Sequence, residues 1–90
     1  MNDSEKTNES GQDKEFRIIV NAREKIVTEK VLTYEKVVNL AFPSPDFGMT
    51  MFTVTYRKGD DKKPEGTLVQ GESVHIKNGM IFNVTATNKS

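Results

Sequence analysis

Along residues 80–87 the chain alternates: Met80, Phe82, Val84 and Ala86 fall on one side, Ile81, Asn83 and Thr85 on the other. Period-2 alternation rich in β-branched and aromatic residues predicts a half-buried strand. Asn78-Gly79 precedes it, and both residues tolerate positive φ at little cost, so a tight turn is expected there. A closing strand this apolar belongs inside a sheet, because edge strands are usually short or charged. Residues 16–21 repeat the pattern, with Phe16, Ile18 and Val20 opposing Arg17 and Ile19. Asn21-Ala22-Arg23 supplies a turn, and residues 25–32 predict a second strand, amphipathic and charged enough to serve as an edge. The two make a hairpin.

The period then changes. Tyr34, Val37, Val38, Leu40 and Ala41 recur at helical spacing, which predicts one short amphipathic helix over 34–42. Thr33 is its expected N-cap, and Glu35 suits the positive end of the helix dipole. Pro43 and Pro45 end it, since the residue before a proline is pushed out of the helical region. Two turns are too few to persist on propensity, so packing must hold the helix. Residues 49–57 return to alternation, Phe52, Val54 and Tyr56 against Met49, Met51, Thr53 and Thr55. Residues 59–66 read as a solvated charged loop; the glycines and lysines match no phosphate-binding pattern. Residues 67–76 form a connecting excursion with room for one brief strand.

Strand, strand, helix, strand, excursion, strand defines a two-layer α+β domain. The last strand can run parallel to the first, the helix lying in the crossover that such pairing needs. With the last strand between the first and third, the arrangement is that of a β-grasp. The core expected from the faces is Ile18, Val20, Ile26, Val37, Leu40, Ala41, Phe52, Val54, Ile76, Phe82 and Val84. Residues 1–15 hold five acids against two lysines and nothing apolar after Met1, a composition expected to stay disordered. The domain is therefore expected over 16–87, with a short tail at 88–90.

Composition narrows the chemistry. There is no cysteine and one histidine, His75, so disulfides, thiol nucleophiles and the common zinc motifs are excluded. No phosphate loop or apolar carboxylate cluster points to an enzyme, and no metal or cofactor is called for. Basic and acidic residues number 13 each, which gives no global field toward nucleic acid or membrane. No apolar run approaches the ~20 residues of a membrane span. The N-terminus shows neither the basic nor the apolar part of a signal peptide, so a soluble cytoplasmic protein is expected.

Thr33-Tyr34-Glu35-Lys36-Val37-Val38-Asn39-Leu40-Ala41 after a hairpin is similar to the capped helix of ubiquitin-like proteins. The spacing Val74-x-Ile76-x-x-Gly79-x-x-Phe82-x-Val84 resembles the end of the ubiquitin and sulfur-carrier folds. Within that group the chain most resembles the prokaryotic multiubiquitin family over about 16–87. The resemblance implies a ubiquitin-like β-grasp and a bacterial protein modifier. An activating enzyme, a conjugating enzyme and a processing protease would act on its C-terminus and join it to target proteins. Ser90, where it is the mature end, would be the acyl donor. Asn88-Lys89-Ser90 departs from the family pattern in having no Gly-Gly pair. Either maturation yields a non-glycine terminus, or the domain is a non-covalent protein-interaction module.

In ubiquitin-like proteins the helix-free face of the sheet engages partners. The alternations that turn Ile18, Phe52 and Phe82 inward turn Ile19, Met51 and Ile81 outward. With their strands adjacent, these three are expected side by side as an apolar patch, flanked by Thr53 and Asn83.

Overall fold

The structure is a computed structural model and describes residues 15–88. Its elements are β1 (Phe16–Val20), β2 (Arg23–Val27), β3 (Val31–Thr33), α1 (Tyr34–Ala41), β4 (Thr50–Arg57), β5 (Gly66–Leu68), β6 (Ser73–His75) and β7 (Ile81–Asn88). Five strands form one mixed sheet in the order β2-β1-β7-β4-β5, and β3 pairs with β6 in a separate ribbon. β7 runs parallel to β1 and antiparallel to β4, in the sheet interior as its alternation requires. This is the ubiquitin-like β-grasp, an α+β fold.

The β1–β2 turn is tighter than expected. Asn21 and Ala22 alone form it, at φ 51° and 69°, the two positive values of the hairpin turn whose twist matches the strands it joins. Arg23 is already in β2, opposite Val20. Shifting a strand by one residue exchanges its faces. Val27 is consequently the buried residue, at 5 % exposure, and Ile26 is 49 % exposed. The placement of Ile26 in the core is thus corrected.

The expected second strand is also two strands. Val27 and Leu32 are both buried, yet they stand five apart, and one extended run would send them to opposite faces. The chain resolves the conflict by leaving the sheet at 28–30 and re-forming as β3, where Leu32 opposes Val74. Glu29, in that break, has its carboxyl held below the usual range by its own backbone hydrogen bond, and Lys36 nearby adds to the effect.

Thr33 caps α1 as expected, its hydroxyl accepting from the Lys36 N–H at 3.2 Å. The helix stops at Ala41; Phe42 is its C-cap, with its N–H on the Val38 carbonyl at 2.8 Å. Tyr34, Val37 and Val38 are buried, whereas Leu40 and Ala41 only pack against the core from its margin. Eight residues of helix cover roughly 12 Å, much less than the roughly 26 Å of an eight-residue strand. Ala86 accordingly lies on the inner face of β7 and is still exposed.

Beneath the helix Phe82, Ile18, Leu32, Met80, Val20, Val37, Val38 and Val54 are almost completely inaccessible. Each large side chain contributes roughly 1.5–3 kcal/mol by burial before entropy is counted. Tyr34, Phe42, Phe47 and Phe52 close one end as a chain of ring contacts, with centroids 5.4–6.2 Å apart. β5 covers the edge of β4 only as far as Val54. Beyond it the Phe52 carbonyl accepts from the Tyr34 hydroxyl at 2.7 Å, a buried bond.

Candidate functional site on the helix-free sheet face

The face away from α1 carries the outward residues of β2, β1, β7 and β4. One row crosses all four strands: Glu24 opposes Ile19, Ile19 opposes Ile81, and Ile81 opposes Arg57. Parallel and antiparallel ladders place such partners about 5 Å apart, so Ile19 and Ile81 are neighbours, as expected. Ile26 stands opposite Arg17, one step along the hairpin from Ile19. Ile26, Ile19 and Ile81 therefore make an oblique apolar strip with charges on its borders.

Met51 does not join this strip. Its partner on β7 is Thr87, six residues from Ile81 and roughly 20 Å away along the strand. The expectation that Ile19, Met51 and Ile81 lie side by side is corrected by this register. Strand order alone makes β4 and β7 neighbours, but the antiparallel offset decides which residues meet. Thr53 opposes Thr85 and Asn83 opposes Thr55, which puts a polar belt between the strip and Met51. Met51, 60 % exposed, instead lines a separate groove of about 440 Å³ with Phe47, Leu68 and Val69.

Beside the strip lies a groove of about 490 Å³ lined by Glu15, Arg17, Ile19, Ile26, Asn78 and Gly79. Arg17, on its wall, pairs with Glu24, Nε to Oε2 at 2.5 Å, with both side chains at least half exposed. A pair so open to water adds little stability, yet it keeps a cation and an anion beside the apolar strip. An aliphatic centre with a charged rim is the composition expected of a small protein–protein contact.

Three groups fix the strip in place. The Ile19 N–H donates to the Met80 carbonyl at 2.9 Å, and the Asn21 N–H to Phe82 at 3.0 Å, so β1 grips the start of β7. The Asn21 side chain then prolongs the grip, its Nδ2 donating to the Val84 carbonyl at 3.0 Å and its Oδ1 accepting from the Val84 N–H at 2.8 Å. Below the strip, the turn before β7 is tied to Arg17: its N–H donates to Asn78 Oδ1 at 2.6 Å, and its carbonyl accepts from Gly79 N–H at 2.7 Å.

β7 remains paired with β4 as far as Asn88, which opposes Thr50, one residue beyond the strand's expected end. Ser90, the expected acyl donor, and nearly all of the expected disordered segment 1–15 lie outside the described residues. His75 is exposed between buried Val74 and Ile76, as its alternation implies. Among the described residues no group of three or more His, Asp and Glu is placed to hold a metal ion. No described helix is long and apolar enough to cross a membrane.

Sequence reasoning missed Ile26 and Arg57 as members of this face. The signal for Ile26 was the two-residue turn: Asn21-Ala22, once read as the whole turn, fixes the parity of β2. Nothing local signals Arg57, because its position beside Ile81 depends on how β4 and β7 slide past each other.

No curated protein and no solved structure gives a significant match to the chain. The multiubiquitin family model matches residues 16–88, the span from the first residue of β1 to the last of β7. Fold, element order and this match agree, and the chain belongs to the multiubiquitin family.

Proposed function

We propose that the domain is a ubiquitin-like protein modifier of the bacterial cytoplasm, recognised by its activating and conjugating enzymes through the helix-free sheet face. The Ile26–Ile19–Ile81 strip between Arg17, Glu24 and Arg57 carries the docking half of this reading. Apolar side chains there are presented by rigid strands rather than by loops, so little ordering entropy is lost when a partner covers them. Thr53 and Asn83, expected from the alternation to flank the patch, form its polar margin, and Met51 lies beyond them, outside it. Conjugation rests on the family: the chemistry resides in the partner enzymes, and the domain contributes a recognition surface and a carboxylate beyond β7. Where Ser90 is the mature end, that carboxylate is its own.

A second reading, a non-covalent interaction module, draws on one observation. β7 is hydrogen-bonded to β4 through Asn88, so residues up to that point serve the sheet rather than a reaching tail. Incubation of the protein with its activating enzyme and ATP, followed by intact-mass measurement, separates the two readings. An adenylate or thioester-linked adduct at the C-terminus supports the modifier. A stable complex with no covalent product supports the module and removes conjugation from the proposal.

A further inference from the structure

Asn78-Gly79 is the one Asn-Gly pair in the chain. Both residues are exposed, and Gly79 has φ 85°. Asn-Gly is the dipeptide in which the following backbone nitrogen meets least steric hindrance in attacking the asparagine side chain. In that reaction the Gly79 nitrogen loses its proton and bonds to Asn78 Cγ. The Cγ–Nδ2 bond breaks, ammonia leaves, and a five-membered succinimide remains. Water then opens the ring at either carbonyl, which gives aspartate or an isoaspartate whose peptide bond runs through the side chain.

Both participants are engaged by the backbone of one residue of the neighbouring strand, Arg17. The Gly79 N–H, the nucleophile, donates to the Arg17 carbonyl at 2.7 Å. Asn78 Oδ1 accepts from the Arg17 N–H at 2.6 Å, which anchors the side chain toward β1. The second bond alone would polarise the Asn78 carbonyl and favour attack. The first decides the outcome, because an amide held on an acceptor keeps its proton and cannot become the nucleophile.

We propose that Asn78-Gly79 is a latent modification site, a deamidation site that the backbone N–H and carbonyl of Arg17 hold inactive while β1 and the turn before β7 stay docked. Opening of that contact is the step that admits reaction. The two products then differ. An aspartate at 78 retains an oxygen for the Arg17 N–H and leaves the chain length unchanged, so it preserves the clamp. Isoaspartate adds a backbone carbon before Gly79 and moves its N–H off the Arg17 carbonyl. Either product places a carboxylate on the wall of the groove that Arg17, Ile19 and Ile26 also line.

The test compares the full chain, folded, with the same chain unfolded in guanidinium chloride, both in mildly alkaline buffer at physiological temperature. Peptide mapping by mass spectrometry follows the conversion of Asn78 over time. The folded protein is expected to deamidate at Asn78 about thirtyfold more slowly, a ratio equal to about 2 kcal/mol at 1.4 kcal/mol per tenfold. Equal rates in the two states would overturn the proposal. The variant Asn78→Asp serves as the independent measurement, expected to fold with a midpoint close to that of the original, while the isoaspartyl fraction isolated from the unfolded reaction refolds to a lower midpoint. A large loss of stability in Asn78→Asp, or an isoaspartyl form as stable as the original, would equally overturn it.

Discussion

The Asn21 side chain binds the backbone of Val84 with both ends of its amide, accepting from the N–H at 2.8 Å and donating to the carbonyl at 3.0 Å. It does so from a left-handed backbone at φ 51°, a conformation that asparagine tolerates better than most residues. One residue thus turns the hairpin and replaces, on the β1 side of β7, the strand partner missing beyond Phe82. Asn21→Gly keeps the backbone freedom and removes only the amide. It is expected to cost about 1–3 kcal/mol, as for hydrogen-bonding groups left without partners. Asn21→Ala should cost more, because its Cβ adds the left-handed penalty. The midpoints of chemical denaturation check both, and a Gly variant as stable as the original would remove the amide from the account.

Ala22 is the weak half of the same turn. Its φ is 69°, where a β-carbon costs roughly 1–2 kcal/mol. Ala22→Gly restores the preferred Asn-Gly pair of this turn type and is expected to stabilise the domain by about 0.5–1 kcal/mol once glycine's own entropy is counted. A higher midpoint in thermal or chemical denaturation is the expected result.

The parity of β2 gives a paired prediction. Val27→Ala should destabilise by about 1–3 kcal/mol, since it empties core volume. Ile26→Thr, at a half-exposed position, should stay within about 0.5 kcal/mol of the original. The reverse ranking would contradict the face exchange that the two-residue turn produces.

Phe82 is fully buried in the central strand, its ring 6.1 Å from that of Tyr56. Phe82→Ala is expected to cost about 3–5 kcal/mol, a large share of what a domain of this size holds in reserve. A cooperative melt near that of the original would contradict the central position of β7.

Alternation and helical spacing made most of this fold legible. β1 and β4 bury the face that their own residues mark, α1 and β7 most of it, and Pro43 follows the helix while Asn78-Gly79 turns the chain into β7. What was not legible depended on relations between elements. Val27 and Leu32 both look inward when read separately; only their spacing of five reveals that the strand must break. Ala86 alternates correctly but lies beyond the reach of an eight-residue helix. The site was half legible for the same reason. Ile19 and Ile81 follow from the parallel pairing of β1 with β7, whereas Met51 needed the antiparallel offset of β4, which no residue in β4 announces.

The central claim is that partners dock at the Ile19–Ile81 end of the helix-free face. Calorimetric titration of the activating enzyme with Ile81→Asp and Met51→Asp, both confirmed folded by circular dichroism, tests it most directly. A buried unpaired charge costs several kcal/mol, so Ile81→Asp is expected to weaken binding by well over tenfold at about 1.4 kcal/mol per tenfold. Met51→Asp, beside Thr87 at the far end, is expected to bind like the original. Unchanged affinity in Ile81→Asp, with or without a loss in Met51→Asp, would contradict the claim.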